Sequence, residues 1–272
     1  MRYPFIEAEK AQYPVTLLCR VMQVSRSGFY AWQGRPLSPR AQETQRLDAA
    51  IKKLFEASKR RSGSPKITRA LMARGWRVSK NRVAQRMREM GLRSIVRRRF
   101  KVTTNSQHKY PVAPNLLQRN FTAQHPNRVW VSDLTYLRVG RSWMYLVVFI
   151  DLYSRRVVGW ALSTALDHRV ALTALQRAVA QRRPPPGLIV HSDRGVQYAC
   201  SGFTQWMVRH GFVQSMSRKG DCWDNAVAES FFHLLKTELT YHCHWLTYQA
   251  AHRSLFEYIE IFYNRERSHS TL

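Results

Sequence analysis

Acidic residues are scarce in this chain. Over 272 residues, 17 Asp and Glu stand against 44 Lys and Arg, a formal net charge of +27. A surplus that large points to a polyanionic partner, nucleic acid before anionic membrane. Cysteine is scarce too: Cys19, Cys200, Cys222 and Cys243 form no CxxC pair and keep no regular spacing. That argues against a disulfide framework and fits a reducing compartment. Long apolar runs are missing. The longest, WMYLVVFI at 143–150, falls far short of the ~20 residues that cross a bilayer as a helix. The opening MRYPFIEAEK has no basic-then-apolar leader pattern, and no internal repeat is visible. These absences predict a cytoplasmic protein. With 44% hydrophobic and 12% aromatic residues, the chain has enough apolar side chains for a packed core.

The few acids are unevenly placed. Residues 1–125 carry 27 basic and 6 acidic residues, whereas 126–272 carry 17 and 11. Within 51–100 alone there are 17 basic residues and 2 acidic ones. The front half is therefore the expected DNA grip, and most acids able to do chemistry lie behind it.

The front half reads as helical. VTLLCRVMQVSRSGFYAW (15–32) is a helix, a break at VSRSG and a second short helix. Leu47, Ile51, Leu54 and Phe55 recur at helical spacing. In SPKITRALMARGWRVSKNRVAQRMREMGL (64–92) a helix starts near Pro65, the chain turns at Gly75, Ser79 is an N-cap and Gly91 a stop. This predicts a helix-turn-helix DNA-binding domain over 61–96, after an N-terminal helical region at 1–60. Lys80, Arg82 and Arg86 are candidate DNA contacts. An ordinary helical hairpin with a solvated basic face is the alternative for either helix pair. A basic linker over 97–124 follows, with Arg97, Arg98, Arg99 and Lys101 as further candidates.

The rear half, 125–272, changes rhythm. Strands at 129–137, 143–150 and 157–163 with short turns predict an antiparallel meander. A helix at 167–182 capped by Asp167, a strand at 188–192, a helix at 201–211 and a strand at 212–217 follow. Asp224 is the expected cap of a final long helix. Strands reached through helices run parallel to a neighbour by right-handed crossovers. The expected fold is α/β, a mixed five-stranded sheet with flanking helices.

Three acids stand out by context. Asp133 interrupts the apolar strand VWVSDLTYL, where an unpaired carboxylate costs several kcal/mol. Asp193, in HSDRG, ends the fourth strand at the carboxyl edge where open α/β sheets place their chemistry. Glu229 lies near the start of the last helix. Lys236, seven residues on, shares its face; Glu238, nine on, points the opposite way and is expected in solvent. Taken singly, Asp133 also fits a buried Arg pair, Asp193 a turn cap and Glu229 a surface position. Asp151 competes for a ligand role but reads better as a turn residue in DLYS. YHCH at 241–244 is too compressed for a tetrahedral metal site and reads as structural. Were the three acids to meet, each pair at ~4 Å would repel by ~4 kcal/mol at an effective dielectric near 20. A hard divalent cation resolves that, and all-oxygen ligands favour Mg²⁺ or Mn²⁺ over zinc. Two such ions are what phosphoryl transfer on nucleic acid uses.

The set VWVSDLTYL, VVFIDLYSRRVVGW, HSDRGVQYAC and GDCWDNAVAESFFHLLKTEL closely resembles the integrase-like core of DDE transposases, most of all the OrfB product of the insertion sequence three family. The resemblance runs forward to the helix-turn-helix segment and back to YNRERSHSTL. It implies an RNase H-like catalytic core that cleaves and joins element ends with Mg²⁺ or Mn²⁺. Asp133, Asp193 and Glu229 would be its catalytic residues and metal ligands, with Lys236 and Asn225 on the nucleic acid. It further implies double-stranded DNA partners (terminal inverted repeats and target), a homo-oligomer on DNA, an upstream frameshift-fusion partner and a bacterial, nucleoid-associated location. In relatives a Pro commonly stands at Ser268 and a further segment follows Leu272, so the alternative expectation is an inactive or truncated DNA-binding derivative.

Overall fold

The computed structural model describes residues 2–36, 38–95, 111–218 and 222–267, the side chain of Cys222 excepted. The candidates Arg97, Arg98, Arg99 and Lys101 lie outside the described residues, as does Ser268. The chain divides into two units, Met1–Ser94 and Ile95–Leu272.

The first unit contains α1 (Arg2–Glu9), α2 (Val15–Val21), α3 (Arg26–Gln33), α4 (Pro39–Ala57), α5 (Ser64–Met72) and α6 (Lys80–Glu89). Local chemistry sets the boundaries. Ser25 accepts from the Gly28 N–H at 3.0 Å to start α3, and Ser79 accepts from the Arg82 N–H at 3.2 Å to start α6. Gly75 and Gly91, at φ +86° and +66°, take the left-handed backbone that ends α5 and α6 without a Cβ clash. Leu47, Ile51, Leu54 and Phe55 of α4 close one core with Ile67, Leu71, Val83 and Met87. Ile6, Leu18, Cys19 and Phe29 close a smaller one.

The second unit holds β1 (Val129–Val139), β2 (Ser142–Asp151), β3 (Val157–Ser163), α7 (His168–Arg182), β4 (Ile189–Ser192), α8 (Val196–Ala199), α9 (Ser201–Arg209), β5 (Val213–Met216), α10 (Ala226–Glu238) and α11 (Tyr248–Phe256), which continues as a π-helical stretch, Glu257–Glu266. The sheet order is β3-β2-β1-β4-β5. β1–β2 and β2–β3 pair antiparallel; β1–β4 and β4–β5 pair parallel. Side chains alternate across the sheet, so Val131 and Leu137 of β1 join a core under α10 and α11 while Trp130 joins one under α7 and α9. Gly159 shows how closely α7 sits on β3: an added Cβ would lie 2.4 Å from the Ala174 carbonyl oxygen. At the free edge of β3, Asn264 accepts from the Val157 N–H and donates to its carbonyl, both at 2.9 Å, covering part of an otherwise unpaired strand.

Three expectations need correction. Asp224 does not cap α10, and α10 is not the last helix, since α11 follows it: the Asp224 carboxylate is taken by Asn115, Arg119 and Arg218, and Asn225 stands at the N-cap position of α10. Glu238 does not face solvent. It is 2% exposed and accepts from the Tyr258 hydroxyl at 2.8 Å and from Arg267, because α10 is covered on one side by the sheet and on the other by the C-terminal helices. α8, a single turn after Asp193, was not foreseen at all.

Candidate active site

Asp133 and Asp193 come together through strand register. The parallel pairing of β1 and β4 ends with Val131 opposite His191. Two residues further on stand Asp133, still within β1, and Asp193, one residue past the end of β4. Neighbouring strands lie about 4.8 Å apart, so the two carboxylates share one rim of the sheet. α10 crosses the same face, since Phe231, Phe232 and Leu235 bury with Val131 and Leu137. Glu229, one turn into that helix, and Lys236, two turns further, are both half-buried there.

Electrostatics couples the four groups. Burial pushes the Asp133 carboxyl well above the usual carboxylate range; Asp193 adds to this, Glu229 adds less, and the Leu134 N–H and Lys236 oppose it. Burial and then Asp193 raise Glu229. Burial lowers Lys236, with Asp133 opposing. By accessible surface Asp133 is only half-buried, so its carboxyl is crowded by protein on most sides and open to solvent on the rest. Among the described residues it accepts one hydrogen bond, from the Leu134 N–H at 2.8 Å. Among the described residues neither Asp133 nor Glu229 forms an ion pair with Lys or Arg. Asp193 accepts from the Gly195 N–H at 3.0 Å, which tightens the turn into α8.

The donor set is carboxylate oxygen throughout, which suits Mg²⁺ or Mn²⁺. The excess of like charge, only partly offset by Lys236, is what a divalent cation would relieve. Among the described residues, however, no three His, Cys, Asp or Glu side chains converge tightly enough to hold a metal.

Around the acids the sheet carries buried polar groups on both faces that sequence reasoning missed. Ser132 Oγ and the Tyr198 hydroxyl are 2.8 Å apart and buried. Burial, then Asp193 and Asp133, hold the Tyr198 proton on well above its ordinary range. Burial lowers His191 to about 4, so it is neutral between Ser215 (2.8 Å) and Ser217 (3.2 Å). The one signal in the sequence was polar residues inside apolar strands, at Ser132, His191 and Ser215.

The other candidates divide. Asn225, expected on nucleic acid, is 4% exposed and donates to the Ser132 carbonyl at 2.9 Å; it supports β1 from within. Arg86 grips Asp48 through two nitrogens and also pairs with Glu89, so its charge is spent inside the unit. Arg82 pairs with Glu43 at 3.0 Å. Lys80 is exposed, as is Arg88. Asp151 is a turn organiser, accepting from Asn127 N–H (3.0 Å), Ser154 N–H (3.0 Å) and Ser154 Oγ (2.6 Å). His242 of the YHCH segment faces the Thr237 carbonyl at 3.0 Å.

An integrase core domain family matches residues 123–222, and a second integrase core family matches 229–272. An HTH-like domain family matches 42–100. The transposase InsF of insertion sequence IS3A from Escherichia coli K12 is 42% identical over 99% of this chain and 94% of that protein. This chain belongs to the IS3 transposase family. A 31 kDa protein of insertion element IS600 from Shigella sonnei is 41% identical over 94% of each chain. Among solved structures, the simian T-cell lymphotropic virus intasome is 16% identical with a TM-score of 0.46, covering 81% of this chain and 71% of that one. The HTLV-2 integrase catalytic core in complex with magnesium is 17% identical with a TM-score of 0.42, covering 54% and 92%. The transposase thus joins an integrase core to an HTH-like region and acts on DNA. No helix among its described residues is long and apolar enough to cross a membrane.

Proposed function

We propose that this transposase cleaves and joins the ends of its element at Asp133, Asp193 and Glu229, which hold two Mg²⁺ ions, with Mn²⁺ able to substitute. The observation that carries the reading is the placement of Asp133 and Asp193 two residues beyond the paired Val131 and His191, with Glu229 near enough to add to the rise at Asp133 and to be raised by Asp193. Bound divalent ions would activate the attacking oxygen and stabilise the leaving one. The chain's own residues supply the rest. The three carboxylates fix where the phosphodiester is presented, Tyr198 and Ser132 hold the floor beneath Asp133, and Lys236 adds positive charge beside the acids for a phosphate. Water attacks a phosphodiester at an element end and breaks its P–O3′ bond, leaving a 3′-OH and a 5′-phosphate monoester. The 3′-OH then attacks a second phosphodiester, forming one P–O bond and releasing a 3′-OH from the other strand, with no covalent protein intermediate.

The HTH-like region at 61–96 holds the terminal repeat through exposed cations such as Lys80, and Arg97, Arg98, Arg99 and Lys101 add further contacts to the duplex. Synapsis of two ends calls for a homo-oligomer on DNA, and an upstream frameshift-fusion partner would add end recognition. The site of action is the bacterial cytoplasm, at the nucleoid. Strand joining of end-containing duplexes with Mg²⁺ tests the assignment. Asp193→Asn is expected to abolish joining while DNA binding survives; retained joining by that variant would falsify the reading.

A further inference from the structure

Asp224 accepts more side-chain hydrogen bonds than any other carboxylate among the described residues of the second unit, and the chemistry above does not use it. Its side chain has no exposed surface. Oδ1 accepts from Arg119 Nε at 3.2 Å and Arg218 at 3.0 Å. Oδ2 accepts from Asn115 at 2.8 Å, the Arg218 N–H at 2.9 Å and Arg218 Nε at 3.0 Å. With both oxygens committed to five donors, no lone pair is left for a metal. Its backbone carbonyl faces His191 Nε2 at 3.0 Å, and His191 stands two residues before Asp193.

The donors come from separate parts of the fold. Arg218 follows β5 directly. Asn115 and Arg119 lie on the segment that leads from the linker into the core, and that segment is itself fastened to β5 by Leu116 N–H to Ser215 Oγ at 2.9 Å. Asp224 sits two residues before α10. Three chain segments are thus tied at the point where the Glu229 helix begins, and a fourth, β4, is tied through His191.

We propose that Asp224 is a positioning residue: by gathering Asn115, Arg119 and Arg218 on its carboxylate and His191 on its carbonyl, it sets where the start of α10, and with it Glu229, stands relative to Asp193. The inference rests on the metal-binding reading of the three acids. It explains why this short segment can hold the helix at a fixed place although Asn225 makes no side-chain cap bond. It also distinguishes Asp224 from a fourth catalytic acid, which a loss of activity alone would not do.

The test uses the full-length protein and Mn²⁺ alone as probe, with binding followed by the EPR signal of the free ion. Asp224→Asn keeps the shape but loses the charge and part of the acceptor capacity. Expected is a Mn²⁺ affinity weakened about tenfold, the range seen when partners of metal ligands are removed. Joining should fall in step and recover in part at high Mn²⁺, with DNA affinity unchanged. Wild-type Mn²⁺ affinity in this variant overturns the proposal. So does loss of binding as complete as in Asp193→Asn, since Asp224 would then be a ligand. If Asp224→Asn does not fold by circular dichroism, Arg119→Met removes one half-exposed donor from the rim instead. Its Mn²⁺ affinity should weaken by about threefold, a fraction of the loss expected when the carboxylate itself is changed, with an unchanged melt; wild-type affinity again overturns the proposal. Mn²⁺ binding retained by Asp193→Asn is a different failure, that of the metal reading beneath it.

Discussion

The side-chain amide of Asn225 donates to the backbone carbonyl of Ser132 across 2.9 Å of buried space. The residue that opens the Glu229 helix is therefore fastened to the residue that precedes Asp133. Asn225→Ala removes the donor and leaves the Ser132 carbonyl without it. Stability should fall by about 1–2 kcal/mol, read by urea unfolding, and joining should fall by more than DNA binding does. Equal losses of joining and binding would mean that the contact serves the fold and not the geometry of the acids.

Lys236 is half-buried beside Asp133 on the face of α10 that carries Glu229. Lys236→Gln is expected to weaken engagement of end DNA and to reduce the slope of log K against log salt by about 0.9, the contribution of one neutralised phosphate. Filter binding over a salt series gives this directly. An unchanged slope together with unchanged joining would remove Lys236 from the DNA-contacting set.

Arg86 and Lys80 lie on the same helix and should behave oppositely. Arg86 is held by Asp48 with both side chains about a quarter exposed, so Arg86→Ala leaves a half-buried carboxylate unpaired. A loss of about 1–3 kcal/mol follows, between the values for exposed and buried pairs, visible in a thermal melt. Lys80 is exposed; Lys80→Ala should leave the melt alone and weaken DNA binding. If Arg86→Ala left the melt unchanged and weakened DNA binding instead, its role as an internal pair would have to be abandoned.

His191 gives the fold a dependence on pH. Burial lowers it from 6.5 to about 4, so the folded chain keeps it neutral while the unfolded chain protonates it first. Its contribution is whole above pH 6.5 and is lost as pH falls from 6.5 toward 4, at most about 3 kcal/mol at 1.36 kcal/mol per unit. Urea unfolding at pH 7 and pH 5 should show the wild type losing more stability than His191→Gln. Asp224 acts lower on the scale: Arg218 holds it far below the ordinary carboxylate range, so its contribution persists above that range and is lost only in strong acid.

Some of this was open to reading from residue order. Asp133 was conspicuous because a carboxylate inside an apolar strand demands a partner, and Glu229 and Lys236 share a face by helical period alone. Glu238 was misread by the same period, because the wheel shows which way a side chain points and not what comes to meet it. Tyr258 and Arg267 arrive from 20 and 29 residues away. The pairing of Arg86 was hidden for a related reason: a basic run gives no sign that Asp48, 38 residues earlier, meets one of its members.

By itself, the chain's order of residues determined most element types and the alternation that makes the sheet mixed, and it singled out three acids by their context. These follow from short-range periodicity, capping and turn chemistry, which act within a few residues. Only the folded arrangement decided that Asp133 and Asp193 share a rim, that Asn225 faces inward and that Asp224 is consumed by three partners. Those outcomes depend on strand register and on contacts between segments more than 100 residues apart, and no local rule carries information over that distance.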